Sequence, residues 1–350
     1  MKPTFQQELQ IGNKLISPQS KTYIIAEAGV NHNGDMEIAY KMIDEISKTG
    51  VDAIKFQMFY TEELILSDIE KAPYQKETTE KSETQYEMLK KLELGLEQYE
   101  ILQAYCKEKG IDCLVTPFEE FSLNQLEKLD LSAYKIAATD LTNIKFLRQV
   151  AQKGRPIILS AGMCYLEEVR VALDAIRPIN QQVILLQCTA NYPIKDEEVN
   201  LELIPRLRDE FKIVIGYSDH SVGIGASPYA VVKGAKVIEK HVTLDRTMEG
   251  PDQGASVTVE ELRQLVEEIR KVETYLGTDI KTPTISEQNT RKSLQKCLVA
   301  SKSIQQGECF TEENVTAKRT NGVGISALYY DEVIGKCATK DYVYNDILLP

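Results

Sequence analysis

Three histidines occur in the 350-residue chain, and each closes or follows a short apolar run. His220 ends Ile213-Val-Ile-Gly-Tyr-Ser-Asp-His220, and His241 ends Lys236-Val-Ile-Glu-Lys-His241. His32 lies just past Tyr23-Ile-Ile-Ala-Glu-Ala-Gly29. Imidazoles at the ends of two strands are donors for an open metal site, with water, a carboxylate or substrate in the remaining positions. Such a nitrogen-and-oxygen set suits Mn²⁺, Mg²⁺ or Co²⁺ better than a closed structural zinc site. His220 and His241 are the expected ligands. His32 sits in the turn-prone string Asn31-His-Asn-Gly34 and is expected to line the site.

The other apolar runs also end in polar residues: Glu27, Lys55 with Gln57, Thr116, Lys135, Ser160, Thr189, and Ser218 with Asp219. Strand alternation puts Glu239 on the face of His241, and Lys55 on the face of Gln57. Lys55 and Lys135 stand on apolar runs, where a charge needs compensation. A phosphate and a carboxylate on a ligand would provide it; an internal ion pair with Glu27, Glu239 or Asp140 is the alternative. Thr116, Ser160 and Ser218 can donate to phosphate or cap the following helix. Glu27, Asp140 and Asp252 are the candidate acid–base or metal-shell carboxylates. The glycine-rich strings at 223–225 and 322–324 lack the strand-to-helix context of a dinucleotide loop.

These residues need elements that bring strand ends together. Strands are predicted at 23–28, 52–57, 112–116, 133–137, 156–160, 182–188, 212–217 and 236–241. Helices are predicted between them, among them 36–49, 98–109, 122–129, 144–153, 165–177 and 201–210. A last helix, 259–275, carries Leu262, Val266, Ile269 and Val272 at helical spacing. This alternation predicts an α/β fold, a (β/α)₈ TIM barrel over 1–276, with a doubly wound sheet as the alternative. Closure makes the first strand a neighbour of the eighth. The polar stretch 58–95 lengthens the second unit and is expected to lie over the catalytic face as a lid, or to be a packed surface excursion. Residues 277–292 read as a linker. Short strands and turns over 293–350 read as a small β-rich domain, expected to dock on a barrel.

The formal charge of −12 disfavours a general nucleic-acid or anionic-membrane binder but leaves room for an anionic small substrate. The chain has seven cysteines and no Cys-x-x-Cys pair; Cys113, Cys164 and Cys188, in or beside apolar runs, read as reduced core residues. The start resembles no signal peptide and no segment reaches membrane-spanning length, so a cytoplasmic protein is expected.

The chain resembles the bacterial sialic acid synthases and their nonulosonate-synthase relatives along nearly its whole length. The resemblance is carried by Ala26-Glu-Ala-Gly-Val-Asn-His-Asn-Gly34, Ile54-Lys-Phe-Gln57, Thr116-Pro-Phe118 and Tyr134-Lys-Ile136. It continues through Leu159-Ser-Ala-Gly-Met163, Gly216-Tyr-Ser-Asp-His220, Glu239-Lys-His-Val-Thr-Leu-Asp245 and Gly250-Pro-Asp252. The tail, with Lys318-Arg319, is similar to the antifreeze-like (SAF) domain of those enzymes. The resemblance implies metal-dependent condensation of phosphoenolpyruvate with N-acetylmannosamine to N-acetylneuraminate and phosphate. A legionaminic or pseudaminic acid synthase using a 2,4-diacetamido-trideoxyhexose is the alternative. It further implies Mn²⁺ on His220 and His241 and phosphoenolpyruvate contacts from Lys55, Lys135, Thr116 and Ser218. Sugar-side contacts would come from Gln57, Tyr192 and Asp252, and Arg319 would reach into the partner's site of a domain-swapped homodimer. Glu27, Lys55, Asp140, His220 and His241 form the implied catalytic set.

The chain also departs from the family pattern. Ile136-Ala-Ala-Thr-Asp140 stands where Ile-x-Ser-Gly-Glu is usual, so Ala138 replaces a phosphate-contacting serine and Asp140 a glutamate. Ala190 stands where a site asparagine is usual, beside Asn191, and Thr-Asn-Gly-Val-Gly follows Arg319 in place of Pro-Gly-x-Gly. Thr139 and Asn191 are the candidate compensations, and Tyr74-Gln75 in the long insertion is where acceptor specificity is expected. Three other classes compete: a Schiff-base aldolase using Lys55 or Lys135, a catalytically silent binding protein, and a polysaccharide-binding module.

Overall fold

The computed structural model describes residues 3–80 and 82–350. Eight parallel strands form its centre: β1 (Tyr23–Gly29), β2 (Ala53–Met58), β3 (Asp112–Pro117), β4 (Tyr134–Ile136), β5 (Ile157–Ala161), β6 (Val183–Cys188), β7 (Val214–Asp219) and β8 (Val237–Thr243). They pair in chain order, and β8 pairs with both β7 and β1. That second pairing closes the sheet into a (β/α)₈ barrel and rules out the doubly wound arrangement. Runs such as Val183-Ile-Leu-Leu186 show no polar alternation because helices cover one face while side chains fill the other.

Alternation then divides each strand between two environments. Ile24, Ala26, Ile54, Phe56, Leu159 and Leu185 point outward into the large cluster shared with the helices. Tyr23, Ile25, Ala53, Leu114, Ile158, Ile184, Val214 and Val237 point into the barrel. Two short antiparallel strands before the barrel, Leu9–Ile11 and Lys14–Ile16, add Leu9, Ile11 and Ile16 to this inner cluster. Toward the carboxyl ends the inward series continues as Glu27, Lys55, Thr116, Ser160 and Glu239, two residues on, and as Ser218 beyond Gly216. The barrel interior is therefore apolar at one end and polar at the other, in keeping with a barrel whose chemistry sits at the carboxyl ends.

The helices form where apolar spacing and caps coincide. Val259–Leu276 opens on a Thr258–Glu261 capping box and buries Leu262, Leu265, Val266 and Ile269. The insertion after β2 folds as three short helices, Thr61–Leu64, Pro73–Thr78 and Gln85–Lys90. Lys71 anchors it from a buried position: its Nζ donates to Thr79 Oγ1 at 2.8 Å, pairs with Glu83 Oε1 at 3.3 Å and donates to the Glu80 carbonyl.

A second compact unit begins at Thr278. It opens with a helix, Ile285–Leu294, inside the stretch read as a linker; a Thr284–Glu287 capping box starts it, and none of its residues is buried. Strands Lys296–Ala300 and Val315–Arg319 pair antiparallel over a small core of Leu298, Ile304, Phe310, Val315, Tyr342 and Leu348. Among the described residues no helix is long and apolar enough to cross a membrane.

Candidate active site

The polar strand ends and the insertion enclose a cavity of 480 Å³. Glu27, Lys55, Gln57, Thr116, Lys135, Asp140, Tyr192, Ser218, His220, His241 and Asp252 all line it. The remaining candidate, Arg319, is an exposed residue at the end of its strand in the second unit. Ser160 also lines the cavity, whereas the Thr189 side chain turns away and donates to the Glu198 carbonyl at 2.9 Å.

Register explains the charge network. Glu27 lies opposite Lys55 across β1 and β2 and opposite His241 across β1 and β8, while Glu239 lies opposite Ser218. Lys55 Nζ is 2.7 Å from Glu27 Oε2 and 3.7 Å from Glu239 Oε2, and donates to Thr116 Oγ1 at 2.9 Å. Lys135 Nζ is 3.4 Å from Glu239 Oε1, which also accepts from Ser218 Oγ at 2.9 Å. The internal ion pair weighed against a ligand-facing role is therefore present for both lysines. Burial opposes the charge on Lys55, but Glu239 and Glu27 outweigh it and raise its pKa. Burial likewise opposes ionisation of Glu239, but Lys135 and Lys55 hold its pKa at about 2. Burial pushes Glu27 up and Lys135 down. Lys135, which shares its one carboxylate with Lys55, is thus the under-compensated cation. The buried Ser160 hydroxyl has no hydrogen-bond partner among the described residues and remains able to donate to an anion.

The two strand-end histidines are arranged as a metal pair would be. His220 Nδ1 donates to the Thr189 carbonyl at 2.8 Å, which leaves Nε2 as its free donor atom. His241 Nδ1 is buried without a hydrogen-bond partner, 3.9 Å from Asp252 Oδ2. The imidazole centroids are 5.5 Å apart, with the Tyr192 ring 4.1 Å from one and 5.4 Å from the other. Burial lowers both pKa values to about 3, helped by His241 at His220 and by Lys55 at His241. Both rings are therefore neutral at physiological pH, the state that binds metal. Among the described residues no cluster of three His, Cys, Asp or Glu side chains gathers, so a cation here would draw on water or ligand oxygens.

His32 does not join them. It is fully buried but lines no part of the cavity, and its Nδ1 accepts from the Gly34 N–H at 3.0 Å. The turn after β1, with Gly29 at φ +54 and Asn33 at φ +53, carries the ring toward Phe56 on the outer face of β2. Gly29 itself borders the site. A Cβ there would lie 3.2 Å from Gln57 Nε2, 3.4 Å from Glu27 Oε1 and 3.6 Å from Asp252 Oδ2.

Two carboxyls are biased toward protonation. Burial, assisted by Glu27, pushes Asp252 up to about 7, and burial raises Asp140. The Thr139 hydroxyl, proposed to replace the serine missing at Ala138, donates to Asp140 Oδ2 at 3.2 Å. Asn191 is exposed and donates to the Pro193 carbonyl at 3.4 Å, so it does not stand in for the amide missing at Ala190. The two departures meet in space: a Cβ on Gly162 would lie 3.0 Å from the Ala190 methyl and 3.2 Å from that of Ala138. Leu64, Ile65, Met88 and Leu89 of the insertion form an apolar wall. Gln75 also lines it, accepting from Gln85 Nε2 at 3.1 Å, whereas the Tyr74 side chain lies outside the described part of the structure. Glu239, the hub of the charge network, was read from sequence as an inward strand-end residue and an ion-pair partner, but not as a member of the catalytic set. Its position two residues before His241 was the signal that placed it in the site.

The chain matches known families along most of its length. The NeuB family profile matches residues 42–281, and the SAF domain profile matches residues 295–349. An N,N'-diacetyllegionaminic acid synthase of Campylobacter jejuni is 44% identical over 94% of this chain and 99% of its own. A second N,N'-diacetyllegionaminic acid synthase, of Legionella pneumophila, is 40% identical over 89% of each chain. The crystal structure of an N-acetylneuraminic acid synthetase from Leptospira borgpetersenii superposes with a TM-score of 0.74 at 35% identity, over 83% of this chain and 98% of its own.

Proposed function

Because the chain belongs to the NeuB family of nonulosonate synthases, we propose that it condenses phosphoenolpyruvate with a 2,4-diacetamido-trideoxyhexose. The products would be a legionaminic- or pseudaminic-type keto acid and phosphate. The observation that carries this reading is the under-compensated Lys135 in the same cavity as the Ser160 hydroxyl, which has no hydrogen-bond partner among the described residues, a buried place for an anion. Lys55 and Thr116 extend that place. Two N,N'-diacetyllegionaminic acid synthases among the relatives, and the apolar part of the cavity lining, support this choice of acceptor. Leu64, Ile65, Met88 and Leu89 of the insertion, and Ala190 where a site asparagine is usual, add apolar rather than hydroxyl-bonding surface to the cavity lining. That lining suits a deoxy sugar with two acetamido groups better than N-acetylmannosamine, the acceptor first expected.

The enol carbon of phosphoenolpyruvate bonds to the acceptor's aldehyde carbon. Water then adds at C2 and loses a proton, and phosphate leaves by C–O cleavage. Lys55 and Lys135 hold the donor's anionic groups; Thr116 and Ser160 donate to them, and Gln57 fixes Glu27 through a 2.7 Å hydrogen bond. Asp252, which burial and Glu27 bias toward protonation in the cation-free site, is the carboxyl assigned to supply the proton that the aldehyde oxygen takes up. His220 and His241 would hold a divalent cation, Mn²⁺ first and Mg²⁺ or Co²⁺ as substitutes, which when bound supplies Lewis-acid polarisation of a carbonyl. A homodimer with Arg319 acting on the partner's site belongs to the same proposal.

The test is phosphate release from phosphoenolpyruvate with Mn²⁺, comparing the diacetamido sugar with N-acetylmannosamine, each with and without EDTA. EDTA-sensitive release with the diacetamido sugar is the expected result. Release with N-acetylmannosamine alone would move the product to N-acetylneuraminate, and release with neither would remove the condensing reaction. The lowered pKa of Lys135 also suits an imine-forming lysine. Borohydride trapping of a sugar adduct, with turnover that survives EDTA, would select that second reading.

A further inference from the structure

We propose that Cys309 and Cys337 form a thiol–disulfide site, which low-molecular-weight disulfides oxidise to an intrachain bond across the C-terminal unit. The two residues oppose each other in an isolated antiparallel bridge, with their sulfurs 3.6 Å apart. Of the chain's seven cysteines these alone are exposed. Cys164 is half-buried, and the remaining four are buried beyond the reach of a dissolved reagent.

Backbone register makes the pair competent. The Phe310 N–H donates to the Lys336 carbonyl at 2.9 Å, and the Ala338 N–H donates to the Glu308 carbonyl at 2.8 Å. Those bonds flank the cysteines and leave them a non-hydrogen-bonded pair. Opposed Cα atoms in such a pair stand ~4.5 Å apart, inside the span a disulfide bridges. Closure asks for rotation of two side chains and no change of backbone.

The step balances without a cofactor. One cysteine thiolate attacks a sulfur of the added disulfide and expels a thiolate; the second attacks the resulting mixed disulfide and expels the other. The protein loses two protons and two electrons, and the reagent becomes two thiols. The cysteines are 28 positions apart. The loop they close contains the strand Val315–Arg319 and the helix Tyr330–Val333. The unit holding them has a small core, so a covalent link acts on a structure with little apolar area to spare.

The experiment uses the full-length chain, incubated with oxidised glutathione, blocked with iodoacetamide and digested without reduction. A 309–337 linked peptide from protein that runs as a single chain in a non-reducing denaturing gel is expected, together with hydrogen exchange over 315–333 slowed by about tenfold or more. Cys309→Ser should instead keep glutathione on Cys337 and show no slowing. Persistent glutathione adducts without the linked peptide, or cross-links only between chains, would overturn the proposal. So would equal slowing in Cys309→Ser.

Discussion

Glu239 decides the electrostatics of the cavity, because a single buried carboxylate serves both lysines. Glu239→Gln leaves the buried Lys135 without its ion-pair partner, and stability should fall by about 3 kcal/mol. Calorimetry would read this as a lowered Tm, and added inorganic phosphate should narrow the gap by supplying the missing anion. At His241 the concern is affinity rather than stability. His241→Ala should weaken Mn²⁺ binding in titration calorimetry by at least about 100-fold, with phosphate release falling in step and far-UV circular dichroism unchanged. Single residues were legible where chemistry and strand position coincided, as for Lys55, Lys135, His220 and His241. His32 was misplaced for a physical reason. Its neighbours announce a turn, but the direction in which a left-handed turn throws a side chain depends on φ values that no residue string displays.

Among elements, β7 shows how tightly the barrel is wound. A Cβ on Gly216 would sit 2.4 Å from Leu186 Cδ2 and 2.5 Å from the Val237 carbonyl, so β6 and β8 close against a bare backbone. Gly216→Ala should cost about 1–3 kcal/mol, measured by denaturant unfolding. The insertion of short helices after β2 lines the cavity, and acceptor recognition is the role proposed for it. Gln75→Ala should raise the acceptor KM about tenfold while leaving the phosphoenolpyruvate KM unchanged; equal changes in both would remove the lid from acceptor recognition. The eight strands were readable because buried parallel strands are continuous apolar runs of fixed length. The insertion's helices were not, since each is one or two turns long and too short to show a 3.6-residue period. The helix Ile285–Leu294 escaped for the opposite reason: it buries nothing, so no apolar stripe marks it.

For the molecule as a whole, acid is the informative perturbation. His32 is buried and neutral, and burial holds its pKa at about 4 against 6.5 for the free side chain. On unfolding it takes up a proton more readily, so its contribution is fully present above pH 6.5 and is lost as pH falls toward 4. Between pH 7.5 and 5 the loss amounts to about 2 kcal/mol. His32→Asn should flatten the pH dependence of unfolding by that amount, whatever its effect at neutral pH; an unchanged slope would mean that the ring is protonated in the folded chain. The net charge of −12 gives no hint of a site built around two buried lysines. Composition averages over the surface, whereas a cavity's charge is local.

Sequence alone determined what depends on local order. That comprises the alternation of apolar runs with amphipathic stretches, the face each strand residue shares with its second neighbour, and the donor types at the strand ends. Tertiary structure decided what depends on which strand ends meet. Closure of β8 on β1 set His241 opposite Glu27 and placed Glu239 between two lysines, and the folded insertion supplied an apolar wall. It also brought Ala138 and Ala190 to the same patch and opposed Cys309 to Cys337, pairs distant in the chain. Periodicity reports a residue's own strand or helix; contacts across the barrel are set by closure and packing, which no local pattern encodes.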